Sequence, residues 1–196
     1  MYYNHMDEVL KKLKASIRKT FSRFNATMKF DEVNLIKKTK KLYEDLTKLN
    51  EEAYLEVAKK VYKETYPEGK GLDSKWLKMF LLAYNPTMKY VYSHEVDRKC
   101  SRLYEALLST KRKKELITAF NVWYRQTSQF AIEVTDHAVI QAMTDKGVTK
   151  VRWNTQQDGR VCETCRKRHG RIYPIDNLPV KHPNCRCYWS EANERN

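Results

Sequence analysis

The sequence lacks the long apolar run that a membrane span requires, which is about 18 uninterrupted residues. It also lacks a secretory signal, because Met1–Glu8 contains no apolar core and no small-residue cleavage site. With only 5 Gly and 5 Pro among 196 residues, the chain is neither loop-rich nor collagen-like. These absences predict a protein made in a reducing cytosol, with no membrane partner. Its 5 Cys are then interpreted first as thiols or metal ligands, and only second as disulfides.

The signatures of catalytic zinc are missing as well. A zinc deaminase would need H-x-E ahead of P-C-x-x-C, and no H-x-E occurs. His94-Glu95 begins like a metalloprotease H-E-x-x-H, but Arg98 stands where the second His should be. We therefore predict no enzymatic activity. A treble-clef zinc hydrolase or nuclease ranks last among the alternatives, because only His169 and His182 lie near the cysteines.

The first 147 residues predict a helical body. Apolar residues recur there at spacings of three and four, which is typical of one face of an α-helix. A breaker at residues 66–71 ends the second run, and Asp73 or Ser74 can cap a short helix to about Tyr84. A further helix is predicted over residues 88–108. The three clearest faces are Leu10, Leu13, Ile17, Phe21, Phe24 and Met28; then Leu42, Leu46, Leu49, Ala53, Val57 and Val61; then Leu116, Phe120, Trp123, Thr127, Phe130, Val134, Ala138 and Gln141.

The pattern changes at Gly147, which stands where a helix C-terminal cap belongs. Residues 148–153 alternate apolar and polar side chains with β-branched types, which predicts a strand. Four of the 5 Cys lie in the remaining 49 residues. The predicted fold class is therefore mainly α. A helical body over residues 1–147 is followed by a small α+β module over residues 148–196, with a Cys/His-rich, zinc-knuckle-like site.

Five side chains of this module are candidate metal ligands: Cys162, Cys165, His182, Cys185 and Cys187. Structural zinc takes four tetrahedral Cys or His ligands, usually supplied as two close pairs. The C-x-x-C pair and Cys185 are the strongest three, and the fourth is either His182 or Cys187. We predict a structural zinc ion, because 49 residues with few large aliphatic side chains build little core alone. A metal-free fold and disulfides are the alternatives.

The ordered motif resembles the Mu F-like minor head proteins, or head morphogenesis proteins, of tailed bacteriophages. The resemblance covers about residues 150–189 and implies a virion or prophage protein. Such a protein is made in the host cytoplasm and acts with portal and capsid proteins in head assembly. By position, the five Cys and His residues are implied to form the metal site, with Asp158 and Arg186 as supports. The motif comprises a strand ending in Trp153, Asp158-x-x-x-Cys162-x-x-Cys165, Gly170-x-Ile172-Tyr173, Pro179, and His182-Pro183-Asn184-Cys185-Arg186-Cys187.

Two features depart from the resemblance. Many relatives carry further C-terminal domains, some of them toxins, and we expect no such activity here because the chain ends soon after the motif. The segment at residues 188–191 is also more polar than a last strand usually is.

Basic residues supply a net charge of +14, concentrated in two places. Residues 9–30 hold seven basic side chains and no acidic one, and a second cluster surrounds the C-x-x-C pair. A basic amphipathic helix can track a phosphate backbone or pack on an acidic protein, or simply be a solvated face. DNA contact is therefore a further expectation, and a zinc-stabilised nucleic-acid-binding protein is the main alternative function. The predicted partner surface comprises Lys11, Lys12, Lys14, Arg18, Lys19, Arg23, Arg166, Lys167 and Arg168.

Overall fold

The computed structural model describes residues 3–26, 32–73, 75–80, 113–182 and 185–192. These residues form three long helices, followed by a small sheet with a short helix between its first two strands. The prediction of a mainly α chain with a small C-terminal sheet and a Cys/His cluster is confirmed. The elements are α1 (Tyr3–Ala26), α2 (Glu32–Thr65), α3 (Lys113–Asp145), β1 (Lys150–Asn154), α4 (Glu163–Arg168), β2 (Ile172–Pro174) and β3 (Tyr188–Glu191).

The apolar faces predicted from sequence lie on these helices. On α1 the predicted positions from Leu10 to Phe24 are all buried, and Ile17 is fully so. On α2 the predicted positions are buried except Leu49, which is half-buried. The helix ends at Thr65, directly before the predicted breaker. Periodicity at 3.6 residues is therefore a sufficient signal for α1 and α2, because the predicted positions lie on the buried face of each helix.

The end of α3 is closed by the glycine that the sequence indicated. Gly147 has a φ of +85°, a left-handed conformation that glycine adopts without a Cβ penalty. Its N–H donates to the Thr144 carbonyl at 2.9 Å, and the Val148 N–H donates to the Met143 carbonyl at 2.9 Å. This pair of bonds is a Schellman motif, which satisfies carbonyls that the helix end leaves unpaired.

A short helical segment occupies residues 75–80, where a helix was predicted. The Asp73 carboxylate accepts the backbone N–H of Lys75 at 2.9 Å, as expected of a residue that caps a helix start. Other predictions lie outside the described residues: the remainder of this helix, the helix over residues 88–108, and Met28.

The described residues cluster into two compact units. The first unit contains the described residues within 1–7, 56–72 and 129–196, and the second contains those within 8–55 and 73–128. Within the second unit, the buried Asn50 amide donates to the Thr127 hydroxyl at 3.1 Å, and the Tyr54 hydroxyl donates to the Thr127 carbonyl at 3.1 Å. The division of the chain at Gly147 into two domains stays a prediction.

Within the first unit, the three strands form an antiparallel sheet in the order β2-β1-β3. Val151 and Trp153 project to the same side of β1 and are fully buried. Trp153 is paired with Trp189 on β3, and their rings meet edge to face with centroids 4.9 Å apart. The polar segment at residues 188–191 forms a strand because one residue, Trp189, is buried while its neighbours are half-buried.

Candidate metal centre

The C-x-x-C pair follows a tight turn that begins at Asp158. The Asp158 carboxylate accepts the Arg160 N–H at 3.0 Å, and its carbonyl accepts the Val161 N–H at 3.2 Å. Asp favours this geometry because its side chain can bond the backbone two residues later. The residue before this turn, Gln157, has a positive φ of +53°, whereas Gly159 within the turn does not.

The turn delivers Cys162 to the start of α4. Cys162 is the N-cap residue, and its sulfur accepts the backbone N–H of Cys165 at 3.4 Å. One turn of helix therefore places both sulfurs on the same side, with a backbone amide directed at the first of them. This N–H is the largest cause that lowers the pKa of Cys162.

The five candidate ligand atoms form two triads that share Cys165. In the first, the His182 Nε2 lies 3.3 Å from the Cys162 sulfur and 3.2 Å from the Cys165 sulfur. In the second, the Cys165 and Cys185 sulfurs are 3.7 Å apart, and Cys187 completes the group. Within each triad, all ligand atoms lie within 4.8 Å of one another. The cluster can therefore bind a metal ion.

The four thiols differ in burial and in pKa. Cys162 is exposed, whereas Cys165, Cys185 and Cys187 are buried. Burial raises the pKa of Cys165 to about 12. A hydrogen bond from the Cys187 thiol lowers the pKa of Cys185 to about 5, and the same bond raises the pKa of Cys187. Within this pair, the hydrogen bond therefore favours the thiolate form at Cys185 and the thiol form at Cys187.

The loop that carries His182 and Cys185 is held at both of its ends. At its start, the Lys181 ammonium donates to the Asp136 carboxylate and to the Cys187 carbonyl, both at 2.6 Å. At its end, the Tyr3 hydroxyl lies 2.9 Å from both the Cys187 carbonyl and Asp136. The Lys181 ammonium also lies 5.4 Å from the ring centre of Trp189. The sequence does not predict this network, because single polar residues far apart in the chain give no periodic signal.

The two residues predicted as supports are brought together. The Arg186 guanidinium donates to the Asp158 carboxylate, forming an ion pair between the turn and the loop. This hydrogen bond, followed by the Arg160 N–H, holds the pKa of Asp158 below its usual value. The roles of both residues in the site stay predictions.

His169, the other histidine near the cysteines in sequence, forms its hydrogen bonds with Thr155 and Gln157. Its Nδ1 accepts the Thr155 N–H at 3.1 Å, and its Nε2 lies 2.9 Å from the Gln157 side-chain amide. These contacts use both ring nitrogens, so His169 stabilises the turn that precedes the C-x-x-C pair.

Basic side chains on α4 surround the first two cysteines. Lys167 forms an ion pair with Glu163 at 2.7 Å, and Arg166 is exposed. Arg168 is half-buried, and its guanidinium lies 5.2 Å from the ring centre of Trp153. Arg168 therefore packs on the sheet, so Arg166 and Lys167 are the more accessible members of this predicted surface.

The other predicted basic surface lies on α1. Its six charged residues, which are Lys11, Lys12, Lys14, Arg18, Lys19 and Arg23, are all exposed, on the side opposite the buried stripe. Lys12 pairs with Glu8 at 2.9 Å, and the Lys14 ammonium lies 4.6 Å from the ring centre of Tyr124. Among the residues whose structure is described, no helix is long and apolar enough to cross a membrane.

Comparison with known proteins agrees with the motif. The family described as Phage Mu protein F like protein matches residues 89–190, which is just over half of the chain. No curated protein and no solved structure matches the chain. The family is one of phage head morphogenesis, which implies interaction with other phage head proteins. The chain therefore belongs to the Phage Mu F-like family of phage head proteins.

Proposed function

We propose that this protein is a minor head protein of a tailed phage or prophage that acts in head morphogenesis with portal and capsid proteins. The family match carries the proposal, and it covers the whole Cys/His cluster. In this role the protein is a virion component without catalytic activity. Residues 1–147 are its docking body and residues 148–196 its small metal-stabilised module.

We further propose that the module holds one structural zinc ion through Cys162, Cys165, Cys185 and His182. Tetrahedral zinc with Zn–S bonds of about 2.3 Å separates two thiolates by about 3.8 Å. The 3.7 Å between the Cys165 and Cys185 sulfurs fits this spacing. His182 is preferred to Cys187 as the fourth ligand, because its Nε2 lies close to both sulfurs of the C-x-x-C pair, whereas Cys187 is grouped with only one of them. A bound ion would cross-link α4 to the loop over residues 182–187.

Assembly in the presence of all head proteins tests the docking role. The chain, carrying an affinity tag, is co-expressed with portal, scaffold and capsid proteins, and heads are purified by sedimentation. The proposal predicts that the chain co-purifies with heads and with isolated portal protein. A Cys162→Ser variant should associate less, whereas a Lys78→Gln variant, at an exposed position of the 75–80 segment, should associate normally. Absence of the wild-type chain from assembled heads contradicts the proposal.

Contact with packaged DNA is a second candidate role, favoured by the exposed basic face of α1. The face presents six cations within three to four helical turns and no acidic residue between Lys11 and Arg23. Charges at this spacing can follow a phosphate backbone. An acidic protein surface is the competing partner for the same face.

The salt dependence of duplex DNA binding tests this role. Each phosphate contact on B-DNA contributes about −0.9 to the slope of log K against log salt. Replacing Lys11, Arg18 and Lys19 together by Gln should therefore make the slope less steep by about 2.7. A control triple variant that replaces the exposed Lys48, Lys59 and Lys70 by Gln removes the same charge elsewhere. If both triple variants change the slope equally, DNA binding depends only on net charge, and the α1 face has no specific role.

A further inference from the structure

We infer that the buried Asp136–Lys181 pair is the positioning element of the metal site, so that metal binding and helix stability are energetically coupled. The inference rests on the proposed metal ion, and it concerns two residues that are not ligands. Lys181 directly precedes the candidate ligand His182, and Asp136 lies on α3. All participating residues belong to the first compact unit.

The geometry points to Lys181 as the residue that holds the ligand loop, which extends from Lys181 to Cys187, in place. Its ammonium bridges the Asp136 carboxylate and the Cys187 carbonyl, at 2.6 Å each, and so fixes the two ends of the loop to each other and to α3. Both candidate ligands of the loop, His182 and Cys185, lie between these anchor points. A change at Asp136 must therefore alter where the loop holds its ligands.

The surroundings of the pair largely enclose it. The Lys181 and Asp136 side chains are only 15% and 11% exposed. The Tyr3 hydroxyl, from the first turn of α1, also reaches Asp136 and the Cys187 carbonyl. The network therefore connects two helices to the loop through short, buried, charge-assisted hydrogen bonds, which tolerate little displacement.

Coupling follows from these contacts by linkage. An ion that binds the ordered loop stabilises every element on which that order depends, and those elements strengthen metal binding in return. Partners outside the ligand shell commonly change metal affinity by about 10- to 100-fold when they are replaced. We expect changes of this size for Asp136 and Lys181.

Two variants distinguish an effect of loop position on metal affinity from an effect of nearby charge. Asp136→Asn keeps the shape of the side chain but leaves the Lys181 cation beside the thiolates, so charge alone would leave metal affinity unchanged or tighter. Lys181→Met removes the cation, so charge alone would weaken it. If the pair instead positions the ligand loop, both variants should bind Zn²⁺ more weakly, by about 10- to 100-fold. Lys181→Arg should recover part of the affinity, because it restores a donor to Asp136.

The measurement is a competition titration of the full-length chain with Zn²⁺ against a chromophoric chelator. Co²⁺ absorption reports the ligand set, and far-UV circular dichroism reports the helices. Glu191→Gln is the matched control, because it breaks the 2.7 Å ion pair between Lys146 and Glu191 without contacting the ligand loop. Tyr3→Phe is a milder variant that keeps the test valid if Asp136→Asn folds poorly.

Weaker Zn²⁺ binding by both charge variants, with normal binding by the control, supports the inference. Opposite effects of the two charge variants, or wild-type affinity in both, would overturn it. If the wild-type chain binds no Zn²⁺, the proposed metal site itself fails, and that result is distinct from failure of the coupling.

Discussion

The Lys181 ammonium forms a buried ion pair with the Asp136 carboxylate at 2.6 Å, joining the loop of the Cys/His cluster to the third long helix. Removing one partner of a buried pair leaves the other charge uncompensated in a medium that solvates it poorly. The pair therefore matters for stability beyond any role in metal binding.

We predict that Asp136→Ala lowers the free energy of unfolding by about 3 kcal/mol, within the range for broken buried pairs. The double variant Asp136→Leu/Lys181→Met should lose less, because it leaves no unpaired buried charge. Urea denaturation of the metal-free chain measures both. A loss for Asp136→Ala no greater than that for Glu191→Gln, whose pair is exposed and contributes about 0–1 kcal/mol, contradicts the prediction.

Zinc content should distinguish the ligands from the neighbouring thiol. We expect about one equivalent per chain, retained by Cys187→Ser and lost by Cys162→Ser and by Cys185→Ser. The reason is that Cys162 and Cys185 belong to the proposed ligand set with Cys165 and His182, whereas Cys187 lies outside it. Elemental analysis of chains purified without chelator decides this. If Cys185→Ser retains zinc and Cys187→Ser loses it, Cys187 is the ligand and Cys185 is not.

The Tyr62 hydroxyl should make stability depend on pH in the alkaline range. Burial and its 2.7 Å hydrogen bond to Asp145 raise the pKa of Tyr62 from 10.0 to about 12. The folded state thus favours the protonated phenol. Its contribution is complete below pH 10 and is lost as the pH rises from about 10 to 12. The residues facing the hydroxyl are Asp145, Tyr66 and the backbone of Gly71.

We therefore predict that Tyr62→Phe costs about 1.5 kcal/mol at pH 8, which is typical of a hydrogen bond to a charged group. The difference between the two proteins should shrink as the pH rises through the window given above. Thermal or urea unfolding at pH 8, 10 and 11.5 provides the measurement. A difference that grows with pH would show that the phenol ionises more readily in the folded chain.

Two glycines offer a matched pair of substitutions. A Cβ at Gly69 would lie 2.5 Å from the Tyr66 ring and 2.8 Å from the Tyr62 hydroxyl, whereas a Cβ at Gly159 would meet nothing within 4 Å. Neither residue has a positive φ. Gly69→Ala should therefore cost about 1–3 kcal/mol through overpacking. Gly159→Ala should be nearly neutral, and equal effects in urea denaturation would contradict this reasoning.

The helices and the candidate ligands could be predicted from sequence, and the network that links them could not. Helix positions followed from apolar periodicity, and the Cys/His set followed from close spacing and motif order. Tyr3 and Asp136, by contrast, are 133 residues apart, so no local spacing in the sequence connects them. Only folding brings them to Cys187. The strand β3 is hard to predict from sequence because only one of its four residues, Trp189, is buried.

The composition of heads assembled from the complete set of head proteins provides the decisive measurement. Quantitative mass spectrometry of purified heads should find this chain at a low, reproducible ratio to portal protein, and find it depleted when Cys162 and Cys165 are both replaced by Ser. Heads of normal composition that contain no detectable wild-type chain would contradict its role as a minor head protein.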